Sequence, residues 1–217
     1  MNIWSNIKKL IIRIRSMAYR FRSIENRFTR IYRKRYWKDS ESASGPGSNL
    51  RNTEEIRKAL PHIVKDLKIK SILDIPCGDY YWMKLLNLEV DYYIGADIVE
   101  DIINNNLLKF ERQNIRFQKL DIRTNNLPKT DLILCRDLFV HFSFSDIQKS
   151  LYNLSKTGKA YLLMTNYSSV EKNVDIVTGK WRPINFQLSP FNFPAPILLI
   201  NENDSQNPDK SLALWTI

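Results

Sequence analysis

Five short apolar runs punctuate the middle of the chain, and helical stretches separate most of them. The runs are Ser71–Ile75 (SILDI), Tyr92–Ala96 (YYIGA), Ile115–Leu120 (IRFQKL), Asp131–Cys135 (DLILC) and Ala160–Thr165 (AYLLMT). The pattern predicts helices at about residues 80–87, 99–110 and 145–156. Strands that alternate with helices are joined by crossovers, and crossovers make neighbouring strands parallel. A parallel sheet is covered on both faces, so the expected fold is α/β: a doubly wound, mostly parallel, Rossmann-like sheet. Ile197–Ile200 and Leu212–Ile217 are expected as an antiparallel pair at an edge, which brings the sheet to seven strands.

The chain has 217 residues, 43% of them hydrophobic, enough to bury a sizeable core. Cys77 and Cys135 are the only cysteines, and His62 and His141 the only histidines. A four-ligand zinc site would consume all of them from scattered places, so no metal is expected. The cysteines read as small buried fillers, and His62 as a surface or packing residue.

Charge divides the chain unevenly. Residues 1–38 hold twelve Lys or Arg against Glu25 alone, while the other 179 residues are nearly neutral, with 21 basic and 22 acidic side chains. The basic arm carries an apolar stripe at alternating spacings of four and three: Ile3, Ile7, Leu10, Ile14, Met17, Phe21, Ile24, Phe28 and Ile31. That spacing predicts a basic amphipathic helix. Lys8, Lys9, Arg13 and Arg15 interrupt it before a membrane span is reached, and no cleavage site follows the apolar piece. The stripe fits an anionic membrane surface, or packing against a partner chain or the body; it argues against a plain nucleic-acid tail. Asp39–Asn49 (DSESASGPGSN) reads as a linker. The expected organisation is an arm over 1–38, a linker over 39–49 and a domain over 50–217.

Open sheets of this kind bind ligands beyond the carboxyl ends of their strands. Three consecutive strands end near an acid: Asp74, Asp97 and Asp121. The spacing of Asp74 and Asp97 is that of a dinucleotide-type site, in which the second acid accepts hydrogen bonds from ribose hydroxyls. The turn after the first strand is Pro76-Cys77-Gly78-Asp79 and has only one glycine. A pyrophosphate needs backbone approach over several residues, and Asp79 repels phosphate, which argues against NAD and ATP. A cationic nucleoside without phosphate suits the turn better, and S-adenosylmethionine is one.

These residues carry a family resemblance. Ile72-Leu73-Asp74-Ile75-Pro76-Cys77-Gly78-Asp79, followed by Tyr81-Trp82, resembles motif I of class I S-adenosylmethionine-dependent methyltransferases, in the bacterial wording LDIPCGD-x-x-W. Tyr93–Ile98, Leu120-Asp121 and Cys135–Ser143 resemble the next three motifs, and Asp175–Pro183 and Pro190–Pro194 also resemble that subgroup. The resemblance covers roughly residues 45–217 and leaves the arm outside. It implies S-adenosylmethionine as cofactor, with Asp74, Pro76, Cys77, Gly78 and Asp79 lining the methionine end. It further implies Asp97 at the ribose, Asp121 and Ile122 at the adenine, Ile98 among the cofactor contacts, and Arg136 and Asp137 beside the sulfonium and acceptor. Ser48 and Thr53 are expected to close over the amino-acid end.

Methyl transfer to a hydroxyl gains from a base, and His141 is the candidate, with Asp137 one helical turn away if the segment is helical. The loop over 167–196 is expected to cover the acceptor side. Its Trp181, Arg182, Asn185, Gln187 and Phe191, with Asn192 and Phe193, mix flat rings with amide and guanidinium donors. Such mixtures suit a sugar or sugar-linked acceptor. The expected activity is O-methylation of a surface glycan, lipid-linked if the arm meets the inner face of a membrane from the cytoplasm. RNA or protein methylation, or a non-catalytic subunit recruiting a partner through the arm, are the alternatives.

Overall fold

The computed structural model describes Ser5 and residues 22–217. The strands are β1 (Ser71–Asp74), β2 (Tyr92–Asp97), β3 (Ile115–Lys119), β4 (Leu132–Cys135), β5 (Tyr161–Tyr167), β6 (Leu198–Asn201) and β7 (Lys210–Thr216). They form one seven-stranded sheet in the order β3-β2-β1-β4-β5-β7-β6. The first five are parallel, and β7 runs antiparallel to both β5 and β6. This is the doubly wound, mostly parallel, Rossmann-like sheet that the alternation predicts. The order reverses between β1 and β4, which places the crevice for a ligand beyond their carboxyl ends.

Four α-helices cover the sheet among the described residues: α1 (Ile24–Arg33), α2 (Glu54–Asp66), α3 (Glu100–Phe110) and α4 (Phe144–Leu154). Strand side chains alternate between faces. Leu73, Ile133, Leu162, Met164 and Trp215 join one core with α1 and α4, whereas Ile72, Leu132, Leu134, Leu163 and Leu214 join another with α2. Both faces are therefore dry, as a parallel sheet requires.

The structure departs from the sequence reading in two places that matter for the site. The stretch 80–87 is not an α-helix; it holds a 3₁₀ turn at Met83–Leu85. Tyr80 takes a left-handed backbone (φ 57°) and Leu86 is extended, so both ends of the stretch are non-helical. Tyr80 instead buries its ring among Tyr93, Phe110 and Phe117. Residues 39–49 are not a plain spacer either: their side chains and amides bond to the turn after β1, as described below.

The apolar positions Ile24, Phe28 and Ile31 of the arm lie on α1 and are buried against the body. Ser23 caps this helix, and Arg33 pairs with Asp101 on α3. Ile3, Ile7, Leu10, Ile14, Met17 and Phe21 lie outside the described residues. Among the described residues no helix is long and apolar enough to cross a membrane.

Candidate functional site

A cleft of about 770 Å³ opens at the carboxyl ends of β1, β2 and β4. That volume lies in the range of small-molecule sites. Asp74, Pro76, Cys77, Gly78, Asp97, Ile98, Asp121, Ile122, Arg136, Asp137, His141 and Trp181 all line it. Strand tips deliver most of these groups, because parallel strands in register end on one edge; His141 comes from the turn after β4 and Trp181 from the loop after β5.

Asp74 and Asp97 are 3% and 5% exposed. Burial pushes Asp74 up to about 7, against the pull of the Tyr93 hydroxyl and of Arg136. The Tyr93 hydroxyl donates to Asp74 Oδ2. Burial likewise pushes Asp97 up to about 6, against backbone N–H groups of Val99, Gly78 and Ile98. The Val99 amide donates to Asp97 Oδ1 at 2.9 Å. Neither carboxylate forms an ion pair with a described residue. Two buried acids without a bonded cation, on a cleft floor, suit a cationic, hydroxyl-bearing ligand.

The turn between them is shaped by residues 42–48. Gly78 has a left-handed backbone (φ 52°), and a Cβ there would strike the Ser44 hydroxyl. Glycine at 78 thus permits the close approach of Ser44, and the same residue lines the cleft. Asp79 does not line the cleft. Its carboxylate accepts from the Ala43 amide (2.7 Å) and the Ser42 hydroxyl (3.0 Å), which straps residues 42–44 to the turn. Ser48 lines the cleft. Thr53 is fully buried and donates to the Asn49 carbonyl at 2.7 Å, so it cannot close over a ligand. Asp121 reaches the cleft while both its oxygens hold Arg123, at 2.9 and 2.6 Å.

The β4–β7 side is built differently. Arg136 donates to Glu202 at 2.6 Å, and Lys210 bonds both Glu202 (3.1 Å) and Asp137 (2.8 Å). Arg136 also lies 3.3 Å from Asp137. These two cations and two anions cancel. Burial pushes Asp137 upward, but Lys210 and Arg136 overcome it and hold the group well below the ordinary carboxylate range. Glu202 and Lys210 were not legible in the sequence. Their only signal is an acid just after β6 and a lysine opening β7, at strand ends that face the cleft.

His141 stands at the end of a 3₁₀ turn (Phe139–His141), so Asp137 is not related to it by an α-helical turn. The ring is oriented by another group: Nδ1 lies 2.8 Å from the Lys180 carbonyl. A carbonyl only accepts, so Nδ1 carries the proton and Nε2 keeps its lone pair. Burial lowers the His141 pKa from its ordinary value, which leaves the ring neutral near pH 7. Phe28 and Trp37, from the N-terminal segment, lie against the ring at 6.4 and 5.5 Å and line the cleft with Tyr32.

Of the residues expected to read an acceptor, only Trp181 lines the cleft; it is 49% exposed and packs edge-on to Tyr167. Arg182 is buried and spent on the carbonyls of Phe139 (2.6 Å) and Phe142 (2.8 Å). Asn185 is buried and bonds the backbone of Ser168 and Asn173's side chain. Phe191 packs on Phe186 and Phe144, and Gln187 is exposed away from the cleft. The cleft wall on this side comes instead from Asp204, Ser205, Gln206 and Asn207, between β6 and β7.

No family model matches the sequence, and no curated protein does. Solved structures do. A SAM-dependent methyltransferase of Leishmania major superimposes with a TM-score of 0.65 at 13% identity, over 89% of this chain and 83% of that one. The fold is that of the S-adenosylmethionine-dependent methyltransferases. The N-methyltransferase NodS of Bradyrhizobium japonicum agrees, with a TM-score of 0.52 at 11% identity over 78% and 98% of the two chains. Human N-acetylserotonin methyltransferase in complex with SAM matches with a TM-score of 0.53 at 15% identity over 86% of this chain. The chain spans 57% of the length of that human protein.

Proposed function

We propose that this protein is an S-adenosylmethionine-dependent methyltransferase. The observation that carries the reading is the pair of buried carboxylates, Asp74 and Asp97, on either side of the Gly78 turn. The methyltransferase fold and the LDIPCGD wording of that turn support it, and the wording favours a bacterial subgroup. Asp97 would hold the ribose, Gly78 and Asp74 the methionine end, and Ile98 and Ile122 the adenine. When bound, the cofactor supplies a methyl carbon activated by positive sulfur, with a neutral leaving group. The protein's task is then to align the acceptor and exclude water.

His141 takes the proton from an acceptor hydroxyl. Its neutral state and free Nε2 suit it to that role, and the Lys180 carbonyl fixes the tautomer. The acceptor is a hydroxyl on a sugar or sugar-linked group of a surface glycan. Trp181 offers a half-exposed ring for C–H faces, and Asp204, Gln206 and Asn207 offer polar groups for hydroxyls. The basic N-terminal residues bring the enzyme to an anionic membrane surface that displays a lipid-linked acceptor. Mass spectrometry of glycans from cells with and without the gene tests the acceptor: one methyl group disappears with the gene. An unchanged glycan profile contradicts the acceptor class.

A further inference from the structure

We infer that Asn106 is a positioning residue for the cofactor turn, an inference that rests on the methyltransferase reading. Asn106 lies in the middle of α3 and is 2% exposed. Asparagine is a poor helix-interior residue, and burying its amide costs free energy unless the amide is bonded. The other buried residues of α3 are Ile102 and Ile103, so packing alone calls for an apolar side chain at 106. The asparagine is explained by where its amide goes: Nδ2 donates to the Gly78 carbonyl at 2.7 Å and approaches Cys77 Sγ at 3.7 Å.

The same peptide unit is held from the other side. The Asp79 amide donates to the Ser44 hydroxyl at 3.0 Å. The Gly78 carbonyl and the Asp79 amide are two ends of one plane, so Asn106 and Ser44 clamp that plane between α3 and the strap. Gly78 is left-handed and has no Cβ to restrict it, so its conformation needs outside support. Catalytic geometry tolerates only about 0.5 Å of looseness, and a free peptide flip exceeds that. Asp97 is anchored mainly from its own strand end, by the Val99 and Ile98 amides, and takes from the turn only the Gly78 N–H, which belongs to the peptide unit before the clamped one. The clamp therefore acts first on the amino-acid end of the ligand and more weakly on the nucleoside end.

Calorimetry with two ligands tests this. S-adenosylhomocysteine has the amino-acid end, and 5′-methylthioadenosine lacks it. Asn106→Leu keeps the volume and removes the donor. We expect at least a tenfold loss of S-adenosylhomocysteine affinity and less than a threefold change for 5′-methylthioadenosine. Ser44→Ala, at the other end of the clamp, gives the same split and stands in if Asn106→Leu does not fold. Equal losses for both ligands, or no loss for either, overturn the inference. Wild-type protein that binds neither ligand overturns the methyltransferase reading itself.

Discussion

On the β1–β2 side of the cleft, two acids are buried and no described cation bonds to them. On the β4–β7 side, Arg136, Asp137, Glu202 and Lys210 are gathered as two cations and two anions. Both sides are lined with charge at strand tips, yet the physics differs. A balanced network satisfies itself and acts as scaffold. Buried acids without a bonded cation have their pKa values raised by burial, and a cation entering the cleft would complete them. The difference teaches that the presence of charge is a poor marker of a ligand, and its lack of compensation a better one.

The comparison breaks most visibly if the network is opened. Glu202→Gln leaves Arg136 and Lys210 facing one another with a single acid between them. We expect a loss of about 3–5 kcal/mol and a melting temperature lower by about 10 °C, measured by thermal denaturation. Unchanged stability with lost ligand affinity would move the network to the binding side. His141→Gln is expected to lower kcat by about a hundredfold and to leave S-adenosylhomocysteine affinity within about twofold. A loss below tenfold argues against a base.

Asp97→Ala tests the other side. It should lower S-adenosylhomocysteine affinity by about 10- to 100-fold. Its melting temperature should change little, because the relief of removing a buried acid without a cation is offset by the orphaned Val99, Gly78 and Ile98 amides. A fall in stability without a loss of affinity would make Asp97 scaffold. The smallest effect is on pH dependence. Asp74 and Asp97 have folded pKa values near 7 and 6, above the ordinary 3.8. The folded protein therefore binds more protons than the unfolded chain between about pH 4 and 7, and the stability of the ligand-free protein falls as pH rises through that window. Affinity for the cationic S-adenosylmethionine runs the other way and should rise from about pH 5.5 to 8 as the two acids ionise. Chemical denaturation and calorimetry at several pH values check the two trends.

Much of the β1–β2 side was legible in the sequence, because a strand tip is a local feature. Apolar runs ending in Asp74 and Asp97 carry their own register, and the sheet order only brings them together. The β4–β7 network was not legible: Arg136 and Glu202 are 66 residues apart, and Asp137 and Lys210 are 73 apart. Asn106 was hidden for the same reason, since its partner Gly78 is 28 residues away in the chain. Arg182 and Asn185 misled in the opposite direction. Their donors look free in a proline-rich loop, but a buried loop without regular structure must satisfy its carbonyls with side chains. The linker 39–49 misled because small polar residues read as spacer, whereas here Ser42, Ala43 and Ser44 are small because Asp79 and Gly78 lie against them. The 80–87 stretch has apolar residues enough for a helix, but Tyr80 takes the aromatic cluster instead.

The central claim is that the acids beside Gly78 complete themselves with a cationic nucleoside. Titration of the wild-type protein with S-adenosylmethionine at pH 6.5, in two buffers of different ionisation enthalpy, addresses it directly. One molecule should bind per chain and displace protons into the buffer, because a ligand cation favours the ionised forms of Asp74 and Asp97. No binding, or binding with no net proton release, would contradict it.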